Sequence, residues 1–360
     1  MRSTRSTSRS TIGTAVVRVI APLAIVSALV PTPALALGGP GHEGGGSVDD
    51  KGNLGAGVTH SSIKISYKSG GDGGGKKGNL APIDPNWKPP ACWYEPAYTP
   101  EQLKKAAEAG EVDDAGIHEF WSDAIFIDHY DKGEANDNFD DENSRAEGYK
   151  NYNIGKDGYF WRGVAPDDTD PDSWDCGRIM FWQDAGTVPD IPHAPTPKML
   201  AEYAYDKVKV PDTKVELKPE AKSTVNMPTW VWLDKGTFKD VKVRAELPNT
   251  GLWAETTAKP KSLHLEPGTA DADTFPASGE CEINDDGSIG TPYAKGKSKQ
   301  DPPCGIKYLR ATDGKPYQLK ASITWEISWE GSQNTGANLP DGTFETTQDM
   351  DVQEVQSINR

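Results

Sequence analysis

Apolar and polar residues alternate without a slip from Tyr317 to Trp329. One set reads Tyr317, Leu319, Ala321, Ile323, Trp325, Ile327 and Trp329; the other reads Gln318, Lys320, Ser322, Thr324, Glu326 and Ser328. Successive side chains of a strand point to opposite faces, so this period of two predicts a long antiparallel strand, one face buried and one wet. Around it the same reading predicts strands at Thr229–Leu233, Phe238–Leu247, Leu252–Thr257, Ser262–Leu265, Ile306–Leu309 and Phe344–Ile358, the last changing phase at a bulge near Gln353. Val231 and Leu233 share one face of their strand and Trp230 and Trp232 the other, which predicts a strand that is either central or covered by another surface. Trp161 and Trp182 are the expected cover. Gly268 to Cys304 shows little regular pattern and reads as a long loop.

Upstream the pattern is mixed. Thr99-Pro100-Glu101-Gln102 is a helix start: Thr99 caps, Pro100 suits the first turn and Gln102 completes a capping box, with Gly110 as the stop. A second helix is expected over Ile117–Ile125. Tyr159-Phe160-Trp161 and Ile179-Met180-Phe181-Trp182 read as a strand pair burying rings inside an acidic shell, since residues 111–190 hold 21 acids against six Lys and Arg. Four prolines in Pro189–Pro197 suggest a boundary. Thr196-Pro197 then opens a helix to about Asp206 with Leu200, Tyr203, Ala204 and Val208 as its apolar stripe. The organisation predicted is a targeting segment 1–36, a Gly-rich and largely disordered linker 37–84 with a short strand at 62–67, an acidic α+β domain 85–195, and a helix plus β-sandwich 196–360. The fold class is mainly β with some α: a C-terminal antiparallel β-sandwich preceded by a small disulfide-containing α+β domain.

The first 36 residues carry Arg2, Arg5, Arg9 and Arg18, an apolar stretch Val19–Val30 and a small-x-small site at Ala34-Leu35-Ala36. That is the layout of a cleaved export signal, and it is shorter than the roughly 20 residues needed to span a bilayer. Its loss would shift the net charge from −16 to −20, leaving 34 basic residues against 54 acidic. Such a surface argues against nucleic acid and against anionic membranes. Cys92, Cys176, Cys281 and Cys304 all follow the signal, where disulfides are the expectation. Three pairings are possible; sequence proximity and the domain division favour Cys92–Cys176 and Cys281–Cys304. The wide spacings do not suit zinc.

Candidate chemistry is sparse. Gly70–Lys77 nearly matches a phosphate loop but has Lys77 where Ser or Thr should reach magnesium, and Pro82 spoils the helix that should follow, so no nucleotide is expected. Asp168, Asp170, Asp172 and Asp175 offer hard oxygens for calcium but lack the glycine and glutamate of an EF-hand loop. Asp137, Asp140, Asp141 and Glu142 form a second acidic cluster. No serine elbow or paired-histidine helix is present, and no two carboxylates stand out as a glycosidase pair. No catalytic residue is assigned. Trp230 and Trp232 are candidate binding residues among eleven tryptophans, with core packing as the competing role.

Part of the chain also resembles a known family. The segments are Cys92-Trp93-Tyr94-Glu95-Pro96 with Tyr98-Thr99-Pro100, Met227 to Leu233, Cys281, Gly290-Thr291-Pro292-Tyr293, Cys304, Thr324 to Trp329, and Val355 to Asn359. In this order they resemble secreted actinobacterial proteins ending in a domain similar to the polycystic-kidney-disease (PKD) repeat. The aromatic-aspartate-x-glycine-aspartate-glycine turn usual in PKD domains is replaced by His264-Leu265-Glu266-Pro267-Gly268. The resemblance implies an immunoglobulin-like sandwich used for display or contact, and no catalytic residues. The function expected is therefore a secreted, non-catalytic interaction module for an extracellular protein or glycan. A secreted carbohydrate-active hydrolase and a calcium-dependent adhesion module are the alternatives.

Overall fold

The computed structural model describes residues 53–54, 61–69, 77–110, 112, 123–135, 148–167, 169–211, 215–220, 222–233 and 239–355. The main strands are β1 (Lys64–Ser69), β2 (Trp93–Tyr98), β3 (Gly158–Val164), β4 (Phe181–Asp184), β5 (Pro228–Leu233), β6 (Val241–Leu247), β7 (Leu252–Glu266), β8 (Tyr317–Gly331) and β9 (Thr335–Gln353). The helices are α1 (Pro100–Ala109), α2 (Asp123–Tyr130) and α3 (Pro197–Asp206). The chain is mainly β with some α, as its patterning predicts.

The largest sheet runs β1-β6-β7-β8-β9, with Asn53–Leu54 beyond β1 and Lys222–Thr224 pairing parallel to β9. Leu319, Ala321, Ile323, Trp325, Ile327 and Trp329 of β8 are all buried, while Gln318, Lys320 and Glu326 are exposed. The buried rows of β6, β7 and β8 form one core with Val231 and Leu233 of β5 and with Ile306 and Tyr308 of a strand at Gly305–Tyr308. Those last two strands belong to a second sheet that also holds Ala272–Phe275, Ile289–Gly290 and Glu216–Lys218. The arrangement is thus a two-sheet, sandwich-like core.

Helix α3 packs on β6, β7 and β8 of the large sheet. Its stripe of Leu200, Tyr203 and Ala204 is buried, and Val208 beyond it is buried too. Thr256 ties sheet to helix: its buried hydroxyl donates to the Ala201 carbonyl at 2.8 Å. Thr196 caps α3 by accepting from the Met199 N–H.

Sheet β2-β3-β4, with α1 and α2, forms the acidic lobe around two small aromatic clusters. Phe160 of β3 lies opposite Trp182 of β4. The capping box of α1 forms both hydrogen bonds, Gln102 N–H to Thr99 Oγ1 at 3.2 Å and Thr99 N–H to Gln102 Oε1 at 2.9 Å, and the helix stops at Gly110. Trp93 and Val164 of this lobe also enter the main core, so that core draws residues from both sides of the Pro189–Pro197 stretch.

Several expectations need correction. The helix expected over Ile117–Ile125 is described from Asp123 to Tyr130; residues 117–122 lie outside the described residues. Leu252–Thr257 and Ser262–Leu265 are one strand that runs through a register shift between Pro260 and Ser262, where a proline without an N–H fits a bulge. The last strand starts at Thr335 and ends at Gln353, and the irregularity in its pairing lies between Trp325 and Ile327 instead of near Gln353. The supposed loop Gly268–Cys304 contains three short strands, Ala272–Phe275, Glu280–Glu282 and Ile289–Gly290. The short strand expected at 62–67 is present as β1, which pairs with β6, and residues 77–84, expected in the linker, are also built into the fold: Lys77–Asn79 pairs with Lys209–Pro211, and Ala81–Pro82 with β9. Strand β5 does bury residues on both faces, but Trp230 meets Tyr293 edge-on and Lys297 at 5.6 Å, while Trp161 sits in the core of its own lobe.

Candidate functional site

Pro171–Cys176 forms a short 3₁₀ helix. Asp170 caps it, its carboxylate accepting from the Asp172 N–H at 3.0 Å, and Pro171 supplies the φ that the first turn requires. With three residues per turn, side chains three apart share a face. Ser173 and Cys176 therefore point inward together and are fully buried. Asp172 and Asp175 share a second face. Trp174 holds the third and is 61% exposed, the most exposed tryptophan among the described residues.

This turn is pinned from beneath. Cys176 is bonded to Cys92, at the start of β2, with Cα atoms 6.0 Å apart. Gly163 of β3 lies directly below: a Cβ there would come 2.0 Å from the Cys176 carbonyl oxygen, so only glycine permits the approach. Beside the turn lies a groove of about 370 Å³ lined by Lys88, Asp170, Asp172, Asp175, His193 and Glu202. His193 has φ 59, its carbonyl accepts the Tyr94 N–H at 3.3 Å, and its ring lies 3.7 Å from the Asp175 carboxylate. Glu202 pairs with Lys198 one helical turn away. A His193 ring nitrogen and the sulfurs of Cys92 and Cys176 lie within 4.8 Å of one another. Bonded to each other, those sulfurs are not thiolates, so the trio is no zinc ligand set in the oxidised chain.

Close by, Glu95 is only 1% exposed. Its carboxylate accepts from the Ser62 N–H at 2.7 Å, the Ser61 hydroxyl at 3.0 Å and the Trp93 indole N–H at 3.2 Å. Burial raises its pKa; the three hydrogen bonds and the charge of Arg162 oppose that rise. Every donor belongs to the fold, so Glu95 holds the lead-in to β1 against the acidic lobe.

The residues singled out from sequence converge only in part. Of the calcium candidates, Asp170, Asp172 and Asp175 all line the groove, Asp170 also capping the turn, and Asp168 lies outside the described residues. Asp137, Asp140, Asp141 and Glu142 lie outside the described residues, as do residues 70–76 of the phosphate-loop match; Lys77 itself begins a strand. Trp230 is 3% exposed and Trp232 is half-buried, opposite Gly290. Cys281 and Cys304 are bonded, tying the strand at Glu280–Glu282 to the residue before Gly305–Tyr308. Trp174, His193 and Glu95 were missed as site residues. The signal for Trp174 was present: a proline-started turn with one large apolar residue among acids, on a period of three.

No family model, curated protein or solved structure matches this chain. No helix among the described residues is long and apolar enough to cross a membrane.

Proposed function

We propose that the chain is an exported, non-catalytic interaction module that grips another extracellular protein through the Trp174 turn. The observation that carries this reading is a 61%-exposed indole on a turn fixed by a disulfide. A large side chain carried on a fixed backbone turn needs less ordering on binding than one on a mobile loop, and tryptophan is among the commonest anchors of protein interfaces. Asp172 and Asp175 beside it, on a chain of net charge −16, favour a partner with a basic patch. The PKD-like resemblance points the same way, toward display and contact. The groove carboxylates support binding over hydrolysis: Asp170 is a cap, Asp175 faces His193 and Glu202 pairs with Lys198.

The test is capture of partners from the culture fluid of the source organism by immobilised full chain, with partners identified by mass spectrometry. A protein retained by the wild type and released by moderate salt is expected. Trp174→Ala should weaken its binding about 30-fold or more, the effect of losing a central anchor worth at least about 2 kcal/mol. Equal retention by Trp174→Ala, or turnover of a glycoside panel by the wild type, contradicts the reading.

A further inference from the structure

The hairpin joining β8 to β9 makes a second groove, of about 570 Å³, that uses none of the residues of the Trp174 turn. Its walls are Trp253 of β7, Glu330 of β8, and the polar tip Ser332, Gln333, Asn334 and Thr335. The tip is locked in place. The Trp253 N–H donates to Ser332 Oγ at 3.2 Å, and the Thr335 hydroxyl donates to the Ser332 carbonyl at 2.9 Å. Gly331 forms the base of the tip: a Cβ there would meet the Trp253 carbonyl oxygen at 2.8 Å and Pro197 at 3.0 Å, so β7 and the start of α3 both brace the hairpin. The half-buried indole of Trp253 is fixed as well. The Arg244 guanidinium lies 3.9 Å from its ring centroid, and Arg244 Nε is 3.6 Å from the Glu246 carboxylate.

Two amide residues occupy the tip in left-handed backbone, Gln333 at φ 62 and Asn334 at φ 56. A hairpin turn of this kind prefers asparagine followed by glycine. Glutamine here is held against its steric preference, and strain of this sort is found where a side chain is needed in a particular place.

We propose that this groove binds a neutral saccharide. Its one large apolar element is the half-buried indole of Trp253; Arg244 covers one of its faces, so the C–H face of a sugar ring would stack on the other. The rest are amides and hydroxyls, which both donate and accept and so match an array of sugar hydroxyls. An apolar ligand would find one ring and a polar wall. An anion would meet the Glu330 carboxylate, with Arg244 already engaged on the indole and Glu246. An open groove keeps the ligand partly wet, which suits an internal stretch of a glycan chain.

The experiment titrates the full chain with hexasaccharides of N-acetylglucosamine, glucose and mannose, each alone, following ligand-observed NMR and tryptophan fluorescence; a sulfated hexasaccharide is the charged control. Saturable binding of a neutral hexasaccharide is expected, weakened about tenfold or more by Trp253→Ala or Trp253→Phe. Gln333→Gly separates ligand contact from structure. It relieves the backbone strain, so it should melt no lower than the wild type yet bind several-fold more weakly. Trp174→Ala should leave saccharide binding unchanged, so failure of the Trp174 reading and failure of this one are distinguishable. No saturation by any neutral hexasaccharide, wild-type affinity in Trp253→Phe and Gln333→Gly, or binding of the sulfated sugar alone overturns the proposal.

Discussion

At Glu95 three donors converge on one carboxylate that has almost no contact with water. Burial still raises its pKa above the ordinary value of about 4.3. The sign of the consequence is fixed by linkage. Between the ordinary and the raised value the folded state holds more protons than the unfolded state, so this group's contribution to stability is present at acid pH and lost as pH rises through that window. Glu95→Gln cannot ionise. It places an amide N–H against a donor and is destabilising at every pH, but the deficit relative to wild type should shrink as pH rises from 4 to 7. Chemical denaturation across that range checks this; a constant or widening gap contradicts it. Trp174 behaves in the opposite manner, since Trp174→Ala should change folding stability by no more than about 0.5 kcal/mol, the usual effect of a surface substitution. The role of Glu95 was not legible beforehand, and that of Trp174 only through a short local signal. The donors to Glu95 include Ser61 and Ser62, 33 or more residues away in sequence, and the period of three that turns Trp174 outward lasts only two turns.

Strand β8 is the element that its own pattern defines best, and two neighbouring residues test it. Ile323 is fully buried in the main core, whereas Thr324 lies on the other face. Ile323→Ala should cost about 2–5 kcal/mol, combining lost transfer energy with a cavity. Thr324→Ala should cost about 0.5 kcal/mol or less. Similar losses in urea unfolding would contradict the burial of alternate residues. The first half of β9 was illegible for a physical reason. Gly336, Asn338, Pro340, Asp341 and Gly342 are turn formers by local preference, yet β8 supplies a ladder that holds much of this segment extended. The disulfides belong to this scale too. Cys92–Cys176 closes a separation of 84 residues and Cys281–Cys304 one of 23. On the chain-entropy relation their removal by paired Cys→Ala substitution should cost about 4.5 and about 3.5 kcal/mol respectively, read by denaturant unfolding. Their pairing could be favoured from sequence because each bridge lies within one compositional region.

For the whole molecule, the N-terminal arm matters more than its glycine content suggested. Ile63 and Ile65 are buried in the main core, and β1 extends the large sheet beyond β6. A chain starting at Trp87 should lose about 3–6 kcal/mol, taking about 1.5–3 kcal/mol for each isoleucine; an unchanged midpoint in urea would show the arm to be dispensable. The sandwich-like core and mixed class were readable because the core strands β5, β6, β7 and β8 carried their own apolar patterns. How the arm, the acidic lobe and the core join was not, because those contacts link distant segments through side chains with no local signature.

If the Trp174 turn is a contact surface, partner binding must leave its footprint there. The most direct measurement is hydrogen–deuterium exchange of the full chain alone and with its captured protein partner. Protection concentrated at residues 170–178 and around His193, and absent when Trp174→Ala replaces the wild type, is the predicted result. A footprint that spares this turn and falls elsewhere, or one identical in Trp174→Ala, would contradict the account.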